Sequence, residues 1–175
     1  MQALILSIAK TVGVNASLLL AICSTETGLQ NIDSFNDGNT HSIGVCQVKE
    51  DTANLVGKVY GVKDLQKASE EDLRDPKKNI KAAAYYLKWQ IERYEGSECI
   101  AALAYNSGSI ILNKNKKPIN LKYLKSVSAI YENDTGQEIE CKEPWHEKKL
   151  NKDLKYLYRQ YNIKESQFDN MGFFK

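Results

Sequence analysis

Apolar and polar residues alternate along this chain with the period of an α-helix almost throughout. Apolar residues recur every three or four positions in the segment 76–94 and again in the segment 121–131. No convincing alternation with period two, which is typical of a half-buried strand, occurs anywhere. The pattern therefore predicts an all-α, mainly helical fold.

Capping residues predict where several of these helices begin and end. Asn15 can accept from the first free backbone N–H groups of a second helix, and Gly28 can take the left-handed conformation that ends it. Asp75 and the proline after it open a long helix that Gly96 ends. Further starts are predicted at Ser69, Ser97 and Asn120, and further breaks at Gly13, Gly57, Gly61 and Gly108.

Glu26 lies near the end of the second predicted helix and carries the first candidate chemistry. Leu19, Ile22 and Cys23 precede it by seven, four and three residues, so Glu26 shares their apolar face. Apolar surroundings that raise a carboxyl pKa from ~4.3 to roughly 6 leave about one group in ten protonated at neutral pH. A protonated carboxyl can donate its proton to a leaving oxygen. The same pattern also allows a Glu26 that turns outward or pairs with a lysine.

The composition indicates one globular domain with a real core. Hydrophobic residues make up 42% and charged residues 26% of the 175 residues, which is ordinary for such a domain. The net charge of +2 makes no general case for nucleic-acid binding. Five lysines occur without an acidic residue between them, and we interpret them as a solvated face rather than a site for an anionic partner. They are Lys114, Lys116, Lys117, Lys122 and Lys125.

No stretch is apolar and long enough to span a membrane, so no membrane insertion is predicted. The first ten residues lack a basic start and are better explained as a core helix than as a signal peptide. We therefore expect a protein made without a signal peptide, or a mature domain whose leader has been removed.

The four cysteines show no CxxC spacing, and only two histidines accompany them, so the sequence predicts neither a metal site nor a cofactor. Cys23 and Cys46 lie in apolar contexts and are predicted to be small core residues. A bridge between Cys99 and Cys141 is expected only if the protein is exported. The spacing leaves the redox state open.

Five short motifs then follow one another at normal spacing, in residues 21–28, 42–48, 75–87, 102–108 and 123–127. Together they resemble the catalytic domain of the soluble lytic transglycosylases (SLT), lysozyme-like enzymes that cleave bacterial peptidoglycan. The resemblance implies a lysozyme-like fold with a substrate groove in residues 1–133. It leaves residues 134–175 as a C-terminal extension with one amphipathic helix, 147–162. We expect that helix to pack on the same domain; a partner-binding helix is the alternative.

The resemblance implies that Glu26 is the single general acid and base. It would protonate the bond between N-acetylmuramic acid (MurNAc) and N-acetylglucosamine (GlcNAc) in a glycan strand. It would then take the proton of the muramoyl C6 hydroxyl, which closes a 1,6-anhydro ring without water. Glycosidases that use two carboxyl groups work differently. No cofactor is required, and a monomer that acts on the wall is expected.

The matching positions also imply substrate-binding residues. Gln47 and Asn106 would hold N-acetyl groups and hydroxyls, and Gly44 would permit close backbone approach. Tyr105 would pack under Glu26 or bond to it, and Tyr123 would line the groove beside it. Core packing is the alternative for both tyrosines, and a helix cap is the alternative for Asn106.

This chain departs from the family's motifs at three positions. Thr27 replaces a serine and keeps the hydroxyl. Val45 and Cys46 replace a leucine and a methionine, which makes the apolar wall beside the sugar smaller. These departures concern the shape of the sugar subsite more than the chemistry.

Two other functions fit parts of the pattern. A goose-type muramidase would use Asp33 or Asp37 to position a water, although Lys49 stands where that pattern has an aspartate. A non-catalytic wall-binding module would not need Glu26.

The biological setting that we expect is a bacteriophage lysis or virion protein. A periplasmic enzyme or a secretion-system accessory is the alternative.

Overall fold

A computed structural model describes residues 1–35 and 41–141. This part of the chain forms seven helices and one pair of short strands. In chain order they are α1 (Gln2–Val12), α2 (Ala16–Thr27), β1 (Ser34–Phe35), β2 (His41–Ser42), α3 (Glu50–Val59), α4 (Glu70–Leu73), α5 (Pro76–Arg93), α6 (Glu98–Ser107) and α7 (Leu121–Thr135). The predicted helical fold is confirmed for these residues.

The predicted helix ends are local features, and the structure confirms several of them. The side chain of Asn15 accepts a hydrogen bond from the backbone N–H of Leu18 at 3.2 Å. Gly28 ends α2 in the left-handed conformation, with φ at 64°. Ser69 and Asp72 form a reciprocal capping box at the start of α4. Short-range chemistry thus sets these boundaries.

Helix α2 lies at the centre of the core. It contacts α1 on one side and α7 on another, and it also contacts α5. Every residue from Leu18 to Cys23 is buried, so the helix is enclosed on all sides and not along one stripe as predicted. This enclosure holds the last turn of α2, which carries Glu26, in a fixed place.

Gly57 lies inside α3, where a break was predicted. A Cβ built on Gly57 would lie 2.5 Å from the carbonyl carbon of Leu65 and 2.6 Å from the backbone nitrogen of Gln66. The glycine therefore lets the returning chain pack against the helix, and α3 continues to Val59.

The strands β1 and β2 pair antiparallel, with Ser34 opposite Ser42 and Phe35 opposite His41. The prediction that the chain has no strands missed this pair. Two residues per strand are too few to produce a recognisable period-two pattern.

All four cysteines form disulfides. Cys23 and Cys46 are buried as predicted, but they are bonded to each other, which the prediction of separate core residues did not include. The bridge considered between Cys99 and Cys141 is present and attaches the first part of the predicted extension to α6. The predicted helix 147–162 lies outside the described residues.

Within the described residues, no helix combines the length and the apolar composition needed to cross a bilayer.

Candidate active site

The last turn of α2 and the first turn of α7 bring Glu26 and Tyr123 together. The Tyr123 hydroxyl donates a hydrogen bond to Glu26 Oε1 at 2.7 Å. Both side chains are partly exposed, so a ligand can reach this pair from solvent. The packing of α2 against α7 creates the contact between residues far apart in the sequence.

The environment of Glu26 favours its protonated form. Burial raises the pKa of this carboxyl above its ordinary value of 4.5, because low-dielectric surroundings disfavour the charge. The hydrogen bond from Tyr123 acts in the opposite direction and lowers the pKa, but its effect is the smaller of the two. More of this carboxyl therefore carries a proton at neutral pH than in a solvated glutamate.

Three tyrosines that feel the charge of Glu26 keep their hydroxyls neutral. Burial raises the pKa values of Tyr86, Tyr105 and Tyr123, and the negative charge of Glu26 raises them further. The rings of Tyr86 and Tyr105 lie 5.0 Å apart between centroids. The hydroxyl of Tyr105 donates to the carbonyl oxygen of Cys46 at 2.9 Å. The bond from Tyr105 to Glu26, one of the two predicted placements, is therefore not made.

Gln47 lies in a tight turn that is bonded to the helix of Glu26. Ile43 and Val48 exchange two backbone hydrogen bonds of 3.0 Å, and Gln47 between them has φ at 51°. The Gln47 Nε2 atom donates to the carbonyl oxygens of Ile32 at 2.8 Å and of Gly44 at 2.9 Å. The amide is thus oriented by the protein while the side chain stays partly exposed.

Gly44 and Val45 are both buried in the turn before Gln47. A Cβ on Gly44 would lie 2.7 Å from Asn79 Nδ2 and 2.9 Å from the Leu73 carbonyl oxygen. The absence of a side chain at Gly44 therefore permits the close approach of Asn79 and of the Leu73 backbone. The side chain of Val45 is fully buried. It has no surface for the predicted contact with a sugar, which corrects that prediction.

Thr27 and Asn106 differ in how far they can reach a ligand. The Thr27 hydroxyl donates to the Val45 carbonyl oxygen at 2.7 Å and so joins α2 to the turn. Asn106 is exposed at the end of α6, and its Oδ1 accepts from Asn120 Nδ2 at 3.4 Å. Asn106 is thus accessible, whereas the hydroxyl of Thr27 is occupied by a structural bond.

This chain matches a known protein family and a solved structure. The family model described as "Transglycosylase SLT domain" matches residues 3–127. The chain belongs to this family. It is similar to the lytic transglycosylase Slt from Pseudomonas aeruginosa, solved as an inactive mutant, with 22% sequence identity and a TM-score of 0.62. The match covers 83% of this chain and 26% of that one, and it supports the predicted lysozyme-like fold. No curated protein matches.

Asn79 and Tyr86 were not among the site residues predicted from the sequence. Asn79 is fully buried and bonds to three backbone groups, those of Ile43, Cys46 and Leu73. Both residues belong to the motif 75–87, and an asparagine on the buried face of a helix is an unusual signal that could have indicated Asn79.

Of the two aspartates considered for a goose-type, hydrolytic site, the structure describes Asp33, which is bonded to Arg74. Asp33 Oδ2 accepts a hydrogen bond of 2.8 Å from Arg74 Nε. Asp37 lies outside the described residues.

Among residues 1–35 and 41–141, no three His, Cys, Asp or Glu side chains are grouped so that they could hold a metal ion. The five lysines of the run between 114 and 125 are all exposed.

Proposed function

We propose that this SLT domain is a lytic transglycosylase that cleaves the β-1,4 bond between MurNAc and GlcNAc in peptidoglycan and leaves 1,6-anhydroMurNAc ends. The observation that carries the proposal is the partly buried carboxyl of Glu26, whose pKa is raised and which Tyr123 orients. The alternative of a non-catalytic wall-binding module gives no reason for this arrangement.

In the first step, protonated Glu26 donates its proton to the glycosidic oxygen as the bond to MurNAc C1 breaks. The GlcNAc residue leaves with the new hydroxyl, and positive charge develops at C1. In the second step, the Glu26 carboxylate takes the proton of the MurNAc C6 hydroxyl while that oxygen bonds to C1. Because the nucleophile belongs to the same sugar, its high effective concentration makes an attacking water unnecessary. Glu26 ends protonated, ready for another cycle.

Tyr123 supports both steps. Its hydroxyl donates a hydrogen bond to Oε1 of Glu26. The other carboxyl oxygen, Oε2, is then left to face the glycosidic oxygen. The raised pKa of Tyr123 keeps the hydroxyl protonated, so it can stabilise the carboxylate that exists between the two proton transfers. We assign Tyr123 the role of orienting the acid.

Gln47 and Asn106 supply the amide groups that bind the sugars. The Gln47 amide nitrogen is already used by two backbone carbonyls, so its oxygen is the atom available to an N-acetyl N–H group. The exposed amide of Asn106 can bind hydroxyl or N-acetyl groups from the other side. Thr27 acts by joining α2 to the turn rather than by direct contact.

Hydrolysis is disfavoured because it needs a second group to activate water. Asp33 is held by Arg74 at 2.8 Å, and freeing it would leave that arginine without this partner.

The bacterial cell wall, outside the cytoplasm, is the site of action that we propose, with the protein acting as a monomer. Two disulfides support an oxidising compartment, since such bonds persist there and are rare in the cytosol.

Digestion of purified sacculi followed by mass spectrometry tests the proposal. We expect muropeptides with anhydroMurNAc ends, each lighter than the hydrolytic product by one water. The Glu26→Gln variant should release none of them. Reducing MurNAc ends would show a hydrolase instead, and equal activity of the two proteins would remove Glu26 from its assigned role.

A further inference from the structure

One covalent bond joins the helix that carries Glu26 to the turn that carries Gln47. Cys23 lies three residues before Glu26, and Cys46 directly precedes Gln47. We propose that the Cys23–Cys46 disulfide is a positioning element of the reaction. It holds Gln47 in place relative to Glu26, and the enzyme reaches its full rate only when this bond is formed. The inference rests on the transglycosylase function proposed above.

Cys46 is the point where three helices fix the turn. Its sulfur bonds to α2 through Cys23, and its backbone N–H donates to Asn79 Oδ1 on α5 at 2.9 Å. Its carbonyl oxygen accepts the hydroxyl of Tyr105 on α6 at 2.9 Å. A movement of Cys46 would therefore move Gln47 relative to all three helices.

If the disulfide were absent, the described residues would retain one direct side-chain link between α2 and the turn. That link is the hydrogen bond from the Thr27 hydroxyl to the Val45 carbonyl oxygen. Gln47 itself has a positive φ of 51°, which is uncommon for a residue other than glycine. Such a conformation persists when the surrounding structure holds it in place. The disulfide next to Gln47 supplies part of that constraint.

Position 46 is also where this chain departs from the motif it resembles, which has methionine there. A methionine would contact α2 by packing only, and a flexible thioether side chain adapts to small shifts. A disulfide fixes the separation of the two backbones, with the Cα atoms 4.3 Å apart. Misplacement of a catalytic group by about 1 Å can lower a rate by about a hundredfold.

Formation of the bond is a simple exchange. The two thiols of Cys23 and Cys46 are oxidised by a small-molecule disulfide such as oxidised glutathione, which accepts two electrons and two protons and becomes two thiols. Both cysteines are fully buried. The bond, once formed, is therefore shielded from dissolved reductants as long as the domain stays folded.

Two double variants and one matched control test the proposal. Cys23→Ala/Cys46→Ala removes the bond, and Cys23→Ala/Cys46→Met removes it while filling the space. The control, Cys99→Ala/Cys141→Ala, removes the other disulfide, which lies on α6 and the segment after α7. Steady-state kcat and KM are measured on solubilised glycan strands, well below the melting temperature of each protein, and circular dichroism verifies folding.

We expect both Cys23/Cys46 variants to lose about tenfold or more in kcat, with a smaller change in KM, because the reacting geometry is loosened. The control should keep kcat within about twofold of the wild type, since Cys99 lies in the first turn of α6, six residues before Tyr105, and Cys141 follows Tyr123 by 18 residues. A purely stabilising disulfide would lower the melting temperature and leave kcat unchanged. Wild-type kcat in either folded Cys23/Cys46 variant would overturn the proposal.

A second measurement does not depend on activity. Hydrogen exchange of the Gln47 and Val48 amides is compared in the same proteins, all carrying Glu26→Gln. Faster exchange in Cys23→Ala/Cys46→Met than in the control is expected, and equal exchange would overturn the positioning role. If the wild type makes no anhydroMurNAc product, the proposed function fails, whereas the exchange result still tests the position of the turn.

Discussion

Tyr123 donates its hydroxyl proton to Glu26 Oε1 across 2.7 Å, although 97 residues separate the two in the sequence. The contact exists because α7 packs directly on α2. Tyr123 therefore affects both the orientation and the acidity of the carboxyl, and these two effects can be separated by experiment.

Replacing Tyr123 by phenylalanine should lower kcat and shift its pH dependence. The hydrogen bond from Tyr123 lowers the pKa of Glu26, so its loss should raise that pKa further and move the alkaline limb of the kcat profile to higher pH. Loss of orientation should reduce kcat by about tenfold at the optimum. A kcat–pH profile measures both effects.

Tyr131→Phe is the matched control, because it also removes a hydroxyl group from α7. That hydroxyl accepts a hydrogen bond from Asn15 and not from a residue of the site. A Tyr123→Phe profile that coincides with the control would refute the assigned role of Tyr123.

Replacing Glu26 by glutamine should stabilise the domain at neutral pH. The folded-state pKa of Glu26 is raised above its ordinary value of 4.5. Below that ordinary value the group is protonated in both states and costs nothing. As the pH rises through the window up to the folded pKa, ionisation favours the unfolded state and stability is lost. Glutamine does not ionise, so the Glu26→Gln variant avoids this loss of stability.

The melting temperature, measured by calorimetry near pH 4 and near pH 7, checks this expectation. The gain of Glu26→Gln over the wild type should be larger near pH 7 and small near pH 4. Glu138→Gln, at an exposed position after α7, is the control and should show no such difference. A gain independent of pH would mean that the charge of Glu26 is not its cause.

Gly44→Ala should destabilise the domain more than Gly136→Ala. Both glycines have φ of 69°, so each alanine bears the same cost of a left-handed conformation, about 1–2 kcal/mol. Only at Gly44 does the new Cβ meet other atoms, Asn79 Nδ2 at 2.7 Å among them, and nothing lies within 4 Å at Gly136. Urea unfolding measures the difference between the two variants. Equal losses would show that the turn can relax around the added methyl group.

Asn79→Ala should cost about 3 kcal/mol or more in the free energy of unfolding. The buried side chain bonds to the Cys46 N–H and to the carbonyl oxygens of Ile43 and Leu73. Its removal takes these partners from the Cys46 N–H and the Leu73 carbonyl oxygen, at about 1–3 kcal/mol for each buried group left unsatisfied, while the Ile43 carbonyl oxygen keeps its bond from the Val48 N–H. Asn31→Ala, which loses a single exposed bond to the Arg74 carbonyl, should cost less than about 1 kcal/mol. Similar losses in urea unfolding would contradict this account.

The sequence predicted best what depends on neighbouring residues. Asn15 and Gly28 bracket α2 as expected, because capping involves groups only three or four positions apart. The break predicted at Gly57 was wrong, since the reason for that glycine is the approach of Leu65 and Gln66 from the next segment. Such an approach has no local signature.

The site was predictable only in part for the same reason. The resemblance pointed to Glu26 and Tyr123, but nothing in the spacing of the residues indicated their 2.7 Å contact. The bond between Cys23 and Cys46 depends on a Cα separation that the fold alone determines. The burial of Val45 likewise follows from the packing of the turn and not from its neighbours in the chain.

The enclosure of α2 on every side restricts how this enzyme can evolve. A change of size at any position from Leu18 to Cys23 would leave a void or overfill a close-packed interior. Natural variation and laboratory selection for new glycan preferences should therefore spare that helix. They should concentrate instead in exposed segments, such as 30–32 and 112–117, where new side chains disturb little of what keeps the acid in place.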